Sequence, residues 1–131
     1  MATIKSFSDL QQSKKLAEIL PLESADMVLW GEDFKYVYAD IHAQEFMKEL
    51  EDRKMNYVPC WSLAALLGVI PVTAEYKNVF IRLRIDKGLN DYAMWYDDLQ
   101  TNLSTDIETE AKNFADACYK MILKLKEQNI L

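Results

Sequence analysis

Cys60, Cys118 and His42 are the residues from which this chain could assemble a nucleophilic site. A thiol becomes a nucleophile when a base sits beside it. His42 is the single histidine in 131 residues, and it is remote in sequence from both cysteines. The two thiols therefore read as buried small hydrophobes in a reducing compartment, which points to the cytoplasm. His42, Glu45 and Glu49 could line one helical face, as metal ligands sometimes do. One histidine and two carboxylates without a second anchor read instead as a solvated face. Acids gather at Glu32-Asp33, at Asp91 and Asp97-Asp98, and from Asp106 to Glu110, and no run has the spacing of a calcium loop. With 3 scattered glycines there is no phosphate-cradling loop. No catalytic set, cofactor or metal is expected.

The aromatic residues are the other candidates. Trp30, Phe34, Tyr36, Tyr38 and Tyr57 cluster in the first half, and Phe80, Tyr92, Trp95 and Tyr96 in the second. Most should be core, and the remainder would form an exposed patch for a partner chain. Tyr36, Tyr38, His42, Tyr92, Trp95 and Tyr96 are the expected pocket or interface residues. Arg82 and Arg84 beside aromatic strands suggest a nucleic-acid platform. A net charge of -6 and the lack of a Lys/Arg stripe argue against nucleic acid and against an anionic membrane.

The elements that must position these residues centre on Pro59 to Pro71, an uncharged run closed by a proline at each end. It reads as a helix apolar on every side and hence buried, a hub for the rest. Pro59 suits the first helical position or Ser62 the N-cap, and Gly68 suggests close approach of a neighbouring backbone. The run is too interrupted by polar residues and proline to span a bilayer.

Before the hub, Ser8-Asp9-Leu10-Gln11 has the form of a capping box opening a helix. Leu10, Ala17 and Leu20 form its stripe, with Leu16 and Ile19 beside it. Asp26 to Trp30 and Phe34 to Ala39 read as strands around a Gly31-Glu32-Asp33 turn, with Phe34, Tyr36 and Tyr38 on one face. Tyr36 to Ala39 could instead begin the next helix, which runs from about 41 to 53. That helix is capped by Asp40, with Ala43, Phe46, Met47 and Leu50 inward and a Glu49–Arg53 pair outward.

After the hub, Val79, Ile81, Leu83 and Ile85 alternate with Asn78, Phe80, Arg82 and Arg84, the pattern of a half-buried strand. Asp86-Lys87-Gly88 turns into a partner covering about 90 to 96. Thr105-Asp106-Ile107-Glu108 reads as a second capping box, opening a long helix whose seam is Ile107, Ala111, Phe114, Cys118, Met121 and Leu125. Acids at its start and Lys120, Lys124 and Lys126 at its end would complement the helix dipole. The expected fold is α+β in one domain over 1–131. A small antiparallel sheet packs with a buried central helix, a capped N-terminal helix and a long C-terminal helix, in an α-β-β-α arrangement in the C-terminal half. The first residues, Met1-Ala2-Thr3-Ile4-Lys5-Ser6, have no apolar leader region.

Three blocks carry a resemblance: Gln12 to Pro21 with Leu22 to Met27, then Pro59 to Pro71, then Ala115 to Ile122. Together they resemble small uncharacterised proteins of gut Bacteroidales genomes and their prophage-like or mobile elements. The resemblance covers a little under a third of the chain and implies no activity, cofactor or catalytic residue. The functional expectation is a non-catalytic, self-associating interaction protein, an accessory factor of a genome or mobile element, whose partner is protein. The alternative is a small-ligand-binding or enzymatic domain with a pocket lined by Tyr36, Tyr38, His42 and Trp95, and with Cys60 as a reactive thiol.

Overall fold

A computed structural model describes residues 5–131, so part of the leader reading, Met1 to Ile4, lies outside the described residues. The α+β class is observed, with helices and two antiparallel sheets. The chain divides into two compact units. One is Ser6–Ala65; the other is Leu66–Leu131 together with Lys5.

In the N-terminal unit, helix α1 (Leu10–Ile19) is capped by Asp9, not by Ser8. Asp9 accepts from the Gln12 N–H at 2.9 Å, and the Gln12 side chain accepts from the Asp9 N–H at 3.1 Å. Ser8 is withdrawn from this role because its hydroxyl is buried, 2.7 Å from Ser13 Oγ and accepting from the Trp61 N–H at 3.1 Å. The shift turns Ser13 and Leu16 inward and leaves Ala17 exposed.

Strands β1 (Met27–Trp30), β2 (Tyr36–Tyr38) and β3 (Tyr57–Cys60) form a sheet in the order β2-β1-β3. The strand β3 contains Pro59, opposite Val28, in place of the expected helix start. An edge strand tolerates proline because no neighbour needs its missing N–H. The central strand β1 is buried on both faces, with Val28 and Leu29 both in the core. Helix α1 packs on β3, and helix α2 (Ala43–Asp52) packs on β1 and β3. The buried stripe of α2 is Ala43, Met47 and Leu50, and Arg53 meets Glu49 at 2.8 Å, both as expected. Its N-cap is His42 in place of Asp40, whose carboxylate instead accepts from the His42 N–H at 3.0 Å.

The unit boundary falls inside helix α3 (Leu63–Val69), the expected hub. Cys60, Trp61, Leu66 and Ile70 are indeed buried, but Ala64 and Gly68 are exposed. With Pro59 and Cys60 in a strand, only two turns of helix remain, and they present one buried face rather than being covered all round. A Cβ at Gly68 would meet nothing within 4 Å, so close backbone approach is not its role. Ser62 starts the helix: its hydroxyl accepts from the Ala65 N–H at 3.1 Å and donates to Asp26.

The C-terminal unit is a meander of β4 (Thr73–Tyr76), β5 (Val79–Lys87), β6 (Tyr92–Asp98) and β7 (Ser104–Ala111). Helix α4 (Phe114–Glu127) packs on β6 and β7. Lys77 and Asn78, both with positive φ (51° and 67°), make the two-residue β4–β5 turn. The expected second capping box is strand: Thr105 to Ala111 belong to β7, and α4 starts at Asn113, whose side chain accepts from the Asp116 N–H at 2.8 Å. Ile107 therefore reaches the core from a strand, with Ala111 of that strand only half-buried, while Cys118, Met121 and Leu125 do so from the helix. The basic last turn, with Lys124 and Lys126, is as expected. The sheet curls enough for Tyr76 of one edge strand to donate its hydroxyl to Asp106 of the other at 3.1 Å.

Candidate functional site

Two groups of aromatic side chains hold the expected site residues, one in each unit. In the N-terminal unit the register places Trp30 opposite Tyr36 and Val28 opposite Tyr38. Phe46 of α2 then stacks on Tyr38 with centroids 4.2 Å apart and meets Trp30 edge-on at 5.3 Å, while Trp30 lies 5.2 Å from Tyr36. Tyr36 stays half exposed at 50%. His42 is exposed at the head of α2. Phe34 leaves this face: it sits in a turn with φ of 54° and packs against the opposite cluster of Met27, Leu29, Val58 and Cys60.

Gly31 makes the cluster possible. Its φ of 85° lies in the region that favours glycine, and a Cβ there would collide with the Tyr36 ring. Gly31→Ala is expected to destabilise the protein by about 1–3 kcal/mol, read as a lower denaturation midpoint. Adding Tyr36→Ala should recover part of that loss, since it removes the collision but not the backbone strain.

In the C-terminal unit β6 divides its aromatics between two faces. Tyr96 is wholly buried and donates its hydroxyl to the Pro71 carbonyl at 2.5 Å, so it is a core residue and not a surface one. Tyr92 stacks on Phe114 of α4 with centroids 5.2 Å apart. Trp95 lies on the outer face, where its indole N–H donates to Asp97 at 2.9 Å. Arg84 sits 3.7 Å from the same carboxylate, and the Ser104 hydroxyl donates to it at 3.2 Å. Beside Trp95 is an open depression of about 300 Å³ lined by Ala93, Glu108 and Glu110 among others. Phe80, 66% exposed, and Arg82 share this outer face.

The six expected residues thus fall into separate places: Tyr36 and Tyr38 in one cluster, His42 on an exposed helix end, and Trp95 on the sheet face opposite Tyr92 and Tyr96. Trp30, which the sequence groups with these tyrosines, pairs with Tyr36 across the strands, and Phe46 of α2 is the partner that sequence reasoning did not join to them.

Neither thiol is poised for attack. Both are fully buried. Burial pushes the Cys60 thiol up, against a smaller opposing effect of hydrogen bonds from Ser8 and Ser13. Burial pushes the Cys118 thiol up to about 12 and also raises Tyr96. These groups stay protonated in the native state while their counterparts in the unfolded chain ionise, the thiols from about pH 8.5 and the phenol from about 10. The unfolded state then binds fewer protons, so stability, complete at neutral pH, falls as pH rises: for Cys118 from about 8.5 toward 12 at about 1.4 kcal/mol per pH unit, with Cys60 and Tyr96 acting in the same direction. Denaturation curves from pH 7 to 10 should show the decline, and Cys118→Ala should flatten it.

Among the described residues no group of three or more His, Cys, Asp or Glu is placed to hold a metal ion, and no helix is long and apolar enough to cross a membrane. Comparison with protein-family models, curated proteins and solved structures finds no match.

Proposed function

We propose that this chain is a small, non-catalytic interaction protein of the cytoplasm that associates with itself and serves as an accessory factor of a genome or mobile element. One observation carries the reading. The outer face of the four-stranded sheet holds Phe80, exposed at 66%, together with exposed Arg82 and Arg84 and half-buried Trp95. Exposed aromatic and arginine side chains on one surface are the residue types enriched where protein surfaces meet. The buried, proton-holding thiols support it further, because neither is an activated nucleophile. Light scattering across a wide concentration range tests the proposal: a mass that climbs with concentration supports it, and a strict monomer at the highest concentration contradicts it.

A second reading, small-ligand binding or catalysis, draws on the depression beside Trp95, whose volume is at the lower end of ligand pockets. Rapid labelling of native Cys60 near neutral pH would favour its enzymatic form.

A further inference from the structure

Strand β4 covers only half of β5. Its residues pair with Val79 to Arg82, and one more hydrogen bond, from the Leu83 N–H to the Val72 carbonyl at 2.8 Å, ends the ladder. Strand β5 continues to Lys87. Antiparallel pairing sends the backbone groups of alternate residues to the same edge. The Leu83 bond, with the Phe80 carbonyl accepting from Leu99 at 2.9 Å on the β6 side, fixes the phase. Ile85 and Lys87 therefore present N–H and C=O to the β4 edge, where no strand among the described residues pairs with them. Exposed apolar side chains flank this gap: Ile85 at 44% and Val72 at 65%.

The side chains there are self-complementary. When two copies of β5 lie antiparallel about a two-fold axis at Ile85, the two Ile85 residues exchange both backbone hydrogen bonds. The same register sets Arg84 of each copy opposite Asp86 of the other, at positions where cross-strand side chains come closest. Centring on Asp86 or Lys87 would set like charges face to face. The other outer strand behaves differently. Asp106, Glu108 and Glu110 alternate along β7, so any self-pairing there puts acid against acid, a device that protects a sheet edge.

We propose that a second copy of this chain docks on the uncovered half of β5, strand to strand, centred on Ile85. This rests on the self-association reading and gives it a location. The contact is isologous and closes as a dimer. This register also sets Lys87 of each copy opposite Leu83 of the other, the place that Val72 holds in the single chain, so docking displaces Val72 from the edge and the dimer forms only at high protein concentration.

Sedimentation velocity on the full chain tests it. Arg84→Asp and Asp86→Arg should each weaken self-association roughly tenfold or more by opposing like charges. An equimolar mixture of the two variants, and the double variant carrying both changes, should associate like the wild type, because each restores both pairs. That recovery also shows that the single variants fold. A wild type that stays monomeric overturns both this site and the self-association reading. A wild type that associates, with single variants that associate equally well, overturns the site alone. Single variants that stay monomeric without recovery in the mixture or the double variant overturn the Ile85 register.

Discussion

Replacing Trp61 with alanine is expected to cost about 3–5 kcal/mol of stability, the usual range for truncating a large buried aromatic. Trp61 is wholly buried in the N-terminal unit, and its indole N–H donates to Ser24 Oγ at 3.0 Å. Its backbone exchanges bonds with Ser8: the Trp61 carbonyl accepts from the Ser8 N–H at 2.9 Å, and the Trp61 N–H donates to Ser8 Oγ at 3.1 Å. The side chain thus fills the space beside a junction that joins the segment before α1 to the end of β3. Natural domains hold only about 5–15 kcal/mol in total. The loss should therefore appear as a large drop in denaturation midpoint. Trp61→Phe fills much of the cavity and should cost only about 1–3 kcal/mol, chiefly the hydrogen bond left unmade at Ser24. A truncation costing under about 1 kcal/mol would mean that the surroundings collapse freely into the gap.

Tyr96→Ala is expected to have an effect of similar size in the C-terminal unit, again about 3–5 kcal/mol. The ring lies in the middle of β6 with no exposed surface, and its hydroxyl ties β6 to Pro71 at 2.5 Å. Tyr96→Phe separates the two contributions and should cost about 1–2 kcal/mol through the orphaned Pro71 carbonyl. Its neighbour Trp95 is the internal control. It lies half-buried on the outer face with its indole bonded to Asp97, so Trp95→Ala should cost clearly less than Tyr96→Ala, about 1–2 kcal/mol. Equal losses at 95 and 96 would contradict the assignment of faces on β6.

On α2 and β5 a single face could be chosen by period, whereas the stripe expected on α1 was displaced when Ser13 and Leu16 turned inward and Ala17 outward. The inward residues of α2 and the outward Phe80, Arg82 and Arg84 of β5 followed directly from periods of 3.6 and 2. On β6 both faces carry apolar or aromatic residues, so period leaves the core face open, and Tyr96, expected at a pocket or interface, lies in the core. The β7 segment misled for a different reason. Thr105-Asp106-Ile107-Glu108 satisfies the local pattern of a capping box, yet Thr105, Ile107, Thr109 and Ala111 also alternate with acids. Pairing with β6 decided in favour of the strand, an outcome that local propensity does not contain. The central run shows the same limit. Its lack of charge signalled burial, which Cys60, Trp61, Leu66 and Ile70 fulfil, but it hid the change from strand to helix between Cys60 and Leu63. Of the candidate site, the shared face of Tyr36 and Tyr38 was legible. The stacking of Phe46 on Tyr38 depended on how α2 crosses the sheet, and no spacing in the sequence encodes that crossing.

Amide hydrogen exchange at Ile85, followed at low and at high protein concentration, tests the self-association account most directly. Leu83, already bonded to Val72, should be protected at both concentrations and serves as the reference. The account predicts that the Ile85 amide exchanges quickly in dilute solution and slows as concentration rises, because a second copy supplies its missing acceptor. An Ile85 amide that exchanges at the same fast rate at every concentration would contradict it.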